Sequence, residues 1–264
     1  LSFESVKCIL TDGQILGVYE PVALLFKAFA IWMFRPRSVE EEAQCVLKVS
    51  VCLHVLNSVL CVFVCNRLVQ EYCHGHNTIM THRTRWISCT IATLLVALHP
   101  LRVEATSWAS GQSYLMCTTM CLLSLLSYMS RSTISCHIYL FLATMCKAPA
   151  ISFPIVFVAY DAAFHERSSP LKQLLRGKHI LTLIQTLLTF CFLVYGPSKT
   201  QGMRTRDMDS VEFLTRALHC PSRYLFQSFH LPVLSPVYSV PEYKITPFSS
   251  EFLPSVSFTV AATL

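Results

Sequence analysis

Charge is what this chain has least of. Acidic and basic residues make up 14% of its 264 residues, against 53% hydrophobic, with a mean hydropathy of +0.49. A soluble domain carries about 25% charged residues, so this chain is too poor in charge to cover a water-facing surface. Glycine is also scarce, at 7 residues. No Gly-rich phosphate loop, nucleophile elbow or His-Glu-x-x-His is present, which excludes the nucleotide, hydrolase and zinc-protease chemistries those motifs carry. The net charge of +6 is scattered. It forms no basic stripe with interleaved aromatics of the kind that tracks nucleic acid. There is no starting methionine and no signal-peptide pattern at Leu1, and the chain stops at Leu264 inside an apolar run that opens near Phe252. Both ends therefore read as cut.

Cysteine is abundant instead, at an odd 13. Cys52, Cys61, Cys65, Cys89, Cys117, Cys121, Cys136, Cys146 and Cys191 fall inside apolar runs, where a thiol acts as a small hydrophobe. A single disulfide between Cys8 and Cys220 is the one pairing left open. Cys73-His74-Gly75-His76 with His82 looks superficially like a metal cluster, but its spacing matches no standard zinc pattern. No metal site is expected.

Apolar blocks alternate with short polar stretches, the pattern of an all-α, polytopic membrane helical bundle with short broken helices. Residues 1–44 read as a loop carrying an interfacial helix over 21–34, with Lys27 reaching the headgroups. The membrane core spans 45–197, with spans at 45–66, 86–98, 113–129 and 179–197 and a long run over 134–163. Residues 198–251 form a second polar loop with an amphipathic stretch at 211–231, and 252–264 opens a further helix.

The long run holds Lys147-Ala148-Pro149 and then Pro154, so one helix and two short helices meeting at Lys147 are both compatible with it. Loop charge separates the two. With a break at Lys147, loops 67–85, 130–135 and 164–178 share one side and carry Arg67, Arg83, Arg85, Arg131, Arg167, Lys172, Arg176 and Lys178. The opposite stretches, 1–44, 99–112 and 198–251, hold Lys and Arg at less than half that density. Positive charge concentrates on the cytoplasmic side of membrane proteins. The bias favours the break and puts Lys147 at the non-cytoplasmic end of two short helices, a position that is costly without an anionic partner.

The string His99-Pro100-Leu101-Arg102-Val103-Glu104-Ala105-Thr106-Ser107-Trp108 falls at that same face. Arg102 offers a planar fork that suits phosphate oxygens, and Lys147 adds a second cation. Together with His99 they make a candidate lipid-phosphate site, with Glu104 and Trp108 beside it. An interfacial Arg102–Glu104 pair next to an aromatic-belt tryptophan fits the same spacing. In the first span His54 and Asn57 share one helix face and are expected to bond a neighbouring helix.

These strings, in order, resemble the transmembrane and tetratricopeptide-repeat-containing family of protein O-mannosyltransferases. The resemblance covers roughly 15–264. It is carried by Gly17-Val18-Tyr19-Glu20-Pro21 with the following LLFKAF, by His54-Val55-Leu56-Asn57 and by His99 to Trp108. Cys146-Lys147-Ala148-Pro149 through Phe153-Pro154 and Tyr160-Asp161 agrees too, as does Leu234-Ser235-Pro236-Val237-Tyr238 with Pro241-Glu242. The resemblance implies a GT-C-like fold, multi-pass in the endoplasmic reticulum membrane. It implies transfer of mannose from dolichyl phosphate mannose to Ser or Thr of lumenal acceptor proteins, with no cofactor called for beyond the donor. Arg102, Lys147 and His99 would then hold the donor phosphate, and Glu104, Trp108, Tyr19 and Glu20 would line the sugar cavity. The family's catalytic acidic pair is expected upstream; within the chain only Glu104 or Asp12 stands in its place, and Asp12-Gly13 also reads as a turn. A non-catalytic membrane scaffold of the same fold and a lipid or anion transporter are the competing expectations.

Overall fold

A computed structural model of the chain describes residues 3–12, 14–15, 18–164 and 177–195, with isolated positions beyond. The chain divides into two units, 1–201 and 202–264. The second unit includes almost all of 198–251 and 252–264, so the amphipathic stretch and the final helix expected there lie outside the described residues.

The described part is all-α apart from one antiparallel pair of two-residue strands. Helix α1 (Phe3–Asp12) leads into β1 (Gln14–Ile15) and β2 (Val18–Tyr19), with Gln14 opposite Tyr19 and Ile15 opposite Val18. Then come α2 (Pro21–Phe34), α3 (Val39–Gly75), α4 (His82–Ala97), the short α5 (Arg102–Ser107) and α6 (Gln112–Met129). Helix α7 (Thr133–Cys146), a 3-10 turn (Ala148–Ser152), α8 (Pro154–Phe164) and α9 (Gly177–Tyr195) complete it.

Local chemistry sets several of these boundaries. Pro21 opens α2, where its missing N–H costs nothing, and Arg35 closes it in the left-handed region at φ 46°. Helix α3 starts with a capping box. Ser38 Oγ accepts from the Glu41 amide at 3.2 Å, and Glu41 accepts from the Arg37 amide at 2.6 Å. Thr81 caps α4 in the same way through the Thr84 amide at 3.2 Å.

Cross-helix contacts make α3, α4, α6, α7, α8 and α9 an up-and-down bundle. Helices α3 and α4 run antiparallel: His54 Nε2 donates to the Ala97 carbonyl at 3.0 Å, Phe63 meets Trp86, and Arg85 donates to Asn66 at 2.7 Å. Asn57 ties α3 to α6 twice. Its amide donates to the Leu115 carbonyl at 2.9 Å, and Thr119 donates to its carbonyl oxygen at 2.7 Å. Ser124 donates to the Cys136 carbonyl across the α6–α7 hairpin at 2.8 Å.

The long apolar run does break at Lys147. Cys136 and Leu140 of α7 share a cluster with Phe157 and Tyr160 of α8, and Ala143, Cys146 and Ala150 share another. A continuous helix would carry residue 160 about 30 Å from residue 140. The chain reverses instead, and α8 returns beside α7. At the far end Tyr128 and His179 both donate to Asp161, at 2.7 and 3.1 Å. That brings the end of α6, the end of α8 and the start of α9 to one end of the bundle.

Polar side chains are buried alongside the apolar clusters, and many large aliphatic side chains face outward. Ser50, Asn57, Thr93, Thr119, Ser124, Thr144, Thr182 and Thr186 are inside, while Val55, Ile91, Leu95, Ile138 and Leu188 are exposed. Among the described residues one helix, α3, is long and apolar enough to cross a membrane by length and composition; α2, α7, α9 and the stretch Ala148–Phe164 are apolar but shorter.

Four boundaries depart from the sequence expectation. The 45–66 span is the middle of a 37-residue helix, because the Ser38 cap extends it backwards and an Arg67–Glu71 pair one turn apart carries it on to Gly75. Arg67 is therefore helical, not part of a loop. Helix α4 begins at the Thr81 cap, ahead of the expected 86. Helices α1 and α5 are additional to the expectation: α5, at six residues, is too short to show a periodic face, whereas α1 carries one in Phe3, Val6 and Leu10. Cys8 is exposed and carries no disulfide; Cys220 lies outside the described residues.

Gly111 is required by contact. A Cβ there would lie 2.6 Å from the Ala105 carbonyl oxygen, where α5 closes on α6. Gly111→Ala is expected to cost about 1–3 kcal/mol in denaturant unfolding in detergent, as for overpacking elsewhere. Asn57→Leu removes both bonds to α6 and is expected to cost about 1–2 kcal/mol by the same assay. No loss in either variant would contradict these contacts.

Candidate functional site

The polar cluster that carries the chemistry forms at the chain reversal. Helix α7 stops at Cys146 because Pro149 cannot continue it, and Lys147 adopts an extended backbone at φ −161°. Its side chain turns inward and pairs with Glu20 Oε1. Glu20 sits immediately ahead of Pro21, at the cap of α2, and is 1% exposed. Lys147 Nζ also lies over the Tyr114 ring, 4.7 Å from its centroid, near the start of α6. The Lys147 carbonyl receives a weak contact from the Cys117 thiol at 3.9 Å.

A second lysine joins from α2. Residues 20, 23 and 27 follow helical spacing, so Glu20, Ala23 and Lys27 share one face. Ala23 is fully buried, and its small side chain lets that face close on Leu115, Met116 and Cys117 of α6. Lys27 Nζ donates to the Ala109 carbonyl at 2.8 Å. Burial pushes the Lys27 ammonium below its usual lysine range; Glu20 pulls it back up, and Lys147 adds a smaller push downward. Lys147 pairs with the Glu20 carboxylate directly, and Lys27 feels its charge without a direct contact.

Several buried polar atoms around this cluster have no hydrogen-bond partner: Glu20 Oε2, Gln112 Oε1 and Ser113 Oγ. Gln112 and Ser113 open α6, directly before Tyr114. Such atoms are few in native proteins, and each costs about 1–3 kcal/mol when left unpaired.

The residues singled out by sequence divide into two groups. Lys147, Glu20 and Tyr19 lie at the reversal. Tyr19 is buried, packs with Met145 and the Phe192 ring, and donates its hydroxyl to the Leu10 carbonyl. Burial raises its phenol above the usual range. Arg102, Glu104 and Trp108 lie on or beside α5, and all three are exposed. Among the described residues neither Arg102 nor Glu104 makes an ion pair, so the structure does not join them as an interfacial pair. They contribute no ion pair or hydrogen bond to the Lys147 cluster either. His99 is half-buried and its Nδ1 accepts from the Leu101 amide at 3.2 Å, shaping the turn into α5. Asp12 is the last residue of α1, and Gly13 of the expected turn lies outside the described residues.

Lys27, Tyr114, Gln112 and Ser113 escaped the sequence reading. The sequence reads Lys27 as snorkelling to headgroups, places Gln112 at the end of the polar stretch 99–112, and places Ser113 and Tyr114 at the start of the 113–129 span. The signal for Lys27 was its seven-residue separation from Glu20, two turns along one face.

No known family model, curated protein or solved structure matches the chain. The arrangement must therefore be read from its own chemistry. A half-buried lysine pair with one carboxylate can bind an anion, stabilise a departing one, or hold helices together.

Removing one partner of a buried ion pair strands the other charge. Lys147→Met and Glu20→Gln are each expected to destabilise the protein by about 3 kcal/mol, and the double variant to recover at least half of the summed loss. Denaturant titration in detergent checks this; strictly additive losses would mean the two side chains do not depend on each other.

Proposed function

We propose that this chain is the membrane-embedded core of a glycosyltransferase that takes a sugar from a polyprenyl phosphate. On the family resemblance the donor is dolichyl phosphate mannose, and the acceptor is a Ser or Thr hydroxyl of a lumenal protein at the endoplasmic reticulum membrane. The observation that carries the proposal is the buried Glu20–Lys147–Lys27 cluster at a helix reversal within an apolar-faced bundle. Ionisable groups at such depth are costly and mark ligand paths.

Two further facts support the membrane reading. The exposed surface of α3, α4 and α9 is rich in large aliphatic side chains, and polar side chains bond inward between helices. Such a surface suits lipid, which leaves helix contacts to small and hydrogen-bonding residues. The helix ends also sort as the loop charges require: the α6–α7 turn, the α8 end and the α9 start lie opposite the Lys147 reversal. The turn 130–135 and the two helix ends that flank 165–176 then lie opposite the lysine cluster, as expected of a multi-pass bundle.

In this reading Lys147 and Lys27 neutralise the donor phosphate. As the acceptor Ser or Thr oxygen bonds to the sugar anomeric carbon, giving its proton to the acidic pair that the family resemblance implies, the bond from that carbon to the phosphate oxygen breaks and its electron pair leaves on the phosphate, where the two ammonium groups stabilise it. Arg102 and His99, on the same side of the bundle, are available to the lipid headgroup region. A non-catalytic scaffold of the same fold keeps the cluster purely as a helix tie, and its signature is normal stability with no transfer.

The test is transfer of radiolabelled mannose from dolichyl phosphate mannose to Ser/Thr peptides by the full-length gene product in proteoliposomes. Lys147→Gln is expected to lower turnover at least 100-fold, with the protein still folded by circular dichroism. Unchanged turnover would remove Lys147 from the phosphate site. Absence of transfer by the unaltered protein would leave the scaffold.

A further inference from the structure

The Glu20–Lys147 pair is odd as a purely structural tie. One carboxylate oxygen faces Lys147 and the other, equally buried, has no partner. A tie selected for stability would satisfy both oxygens, since an unpaired buried acceptor costs about 1–3 kcal/mol. Charge is unbalanced too, with Lys27 and Lys147 around one glutamate. Burial lowers the Lys27 ammonium below its usual range; Glu20 opposes that shift and Lys147 adds to it. The start of α6, which has no side-chain cap, adds the positive end of an 18-residue helix beside them. The cluster therefore carries more positive than negative charge around a position partly filled by a carboxylate.

We infer that Glu20 is a resident counter-ion: its carboxylate occupies the anion position beside Lys147 and competes with a phosphate-bearing ligand for the two lysines. This rests on the phosphate-binding reading above and adds its regulation. The ligand-free site is held closed by Glu20, at the cap of α2, and a phosphate bridging Lys27 and Lys147 displaces that carboxylate. Each polar contact that holds the face of α2 at the site, Glu20 to Lys147 and Lys27 to the Ala109 carbonyl, can be exchanged for a contact to phosphate. The empty site thereby keeps its lysines paired within an apolar surrounding.

The inference predicts a gain of affinity from the loss of a charge, which a structural tie does not. Binding of a short-chain polyprenyl phosphate to the intact protein in detergent micelles is compared with the matching polyprenol and with inorganic phosphate. Glu20→Gln is expected to tighten binding of the polyprenyl phosphate at least about tenfold, since removing one like charge a few ångströms away at an intermediate dielectric is worth more than that. Glu20→Asp, which draws the carboxylate back by one methylene, is expected to tighten it several-fold, and Lys147→Gln to abolish it. The polyprenol should not bind, and inorganic phosphate binding without the lipid form would reassign the ligand and overturn the lipid-linked proposal. Binding by the unaltered protein with unchanged or weaker binding by folded Glu20→Gln or Glu20→Asp overturns the counter-ion role alone. No binding by the unaltered protein or by either Glu20 variant overturns both this inference and the phosphate reading beneath it.

Discussion

A lysine at the tip of a folded-back pair of apolar helices needs a counter-charge, and much of this structure follows from where that charge comes from. Lys147 ends α7 and is only partly exposed, so its ammonium must be paired within the protein. Glu20 supplies the pair from 127 residues away. To do so, α2 must lie with Glu20, Ala23 and Lys27 against α6, and the fully buried Ala23 makes that approach possible. Pro149 sets the reversal, and the electrostatic requirement of Lys147 then sets the seat of α2.

The rest of the bundle follows the same economy in neutral form. Asn57, His54, Ser124 and Gln185 each reach a backbone carbonyl or side chain on a neighbouring helix, Gln185 by donating to the His137 carbonyl at 2.8 Å. Threonines 182, 186 and 189 line the buried face of α9, and Thr186 and Thr189 donate to carbonyls one turn back within that helix. The bonds between helices add directional ties to the apolar clusters, while aliphatic side chains also face outward. At the opposite end, Asp161 plays for Tyr128 and His179 the role that Glu20 plays for Lys147, gathering three helices onto one carboxylate.

The sequence revealed the alternation of apolar blocks, the break at Lys147 and the inward bonding of His54 and Asn57. Each rests on local information: hydropathy, proline and two residues one turn apart. It also showed that Lys147 requires an anion. It could not name Glu20, because a pairing across 127 residues leaves no local trace. Spacing leaves both readings of Arg102 and Glu104 open, with the interfacial pair favoured; the structure sets both on the exposed α5 without joining them. The length of α3 was hidden by the charged turns at its ends, where capping and one ion pair, rather than apolar periodicity, extend the helix.

The central claim is that the apolar stretch around Lys147 doubles back, so that its two ends emerge on the same side of the membrane. Glycosylation mapping tests it most directly. An acceptor sequon is placed in turn within 130–135 and within 164–178, and glycan addition is scored in microsomes. The account predicts the same state at both positions, unglycosylated, with Lys147 at the lumenal end. Opposite states at the two positions would mean that 134–163 crosses as one helix, and would contradict the reversal on which the Glu20–Lys147 site depends.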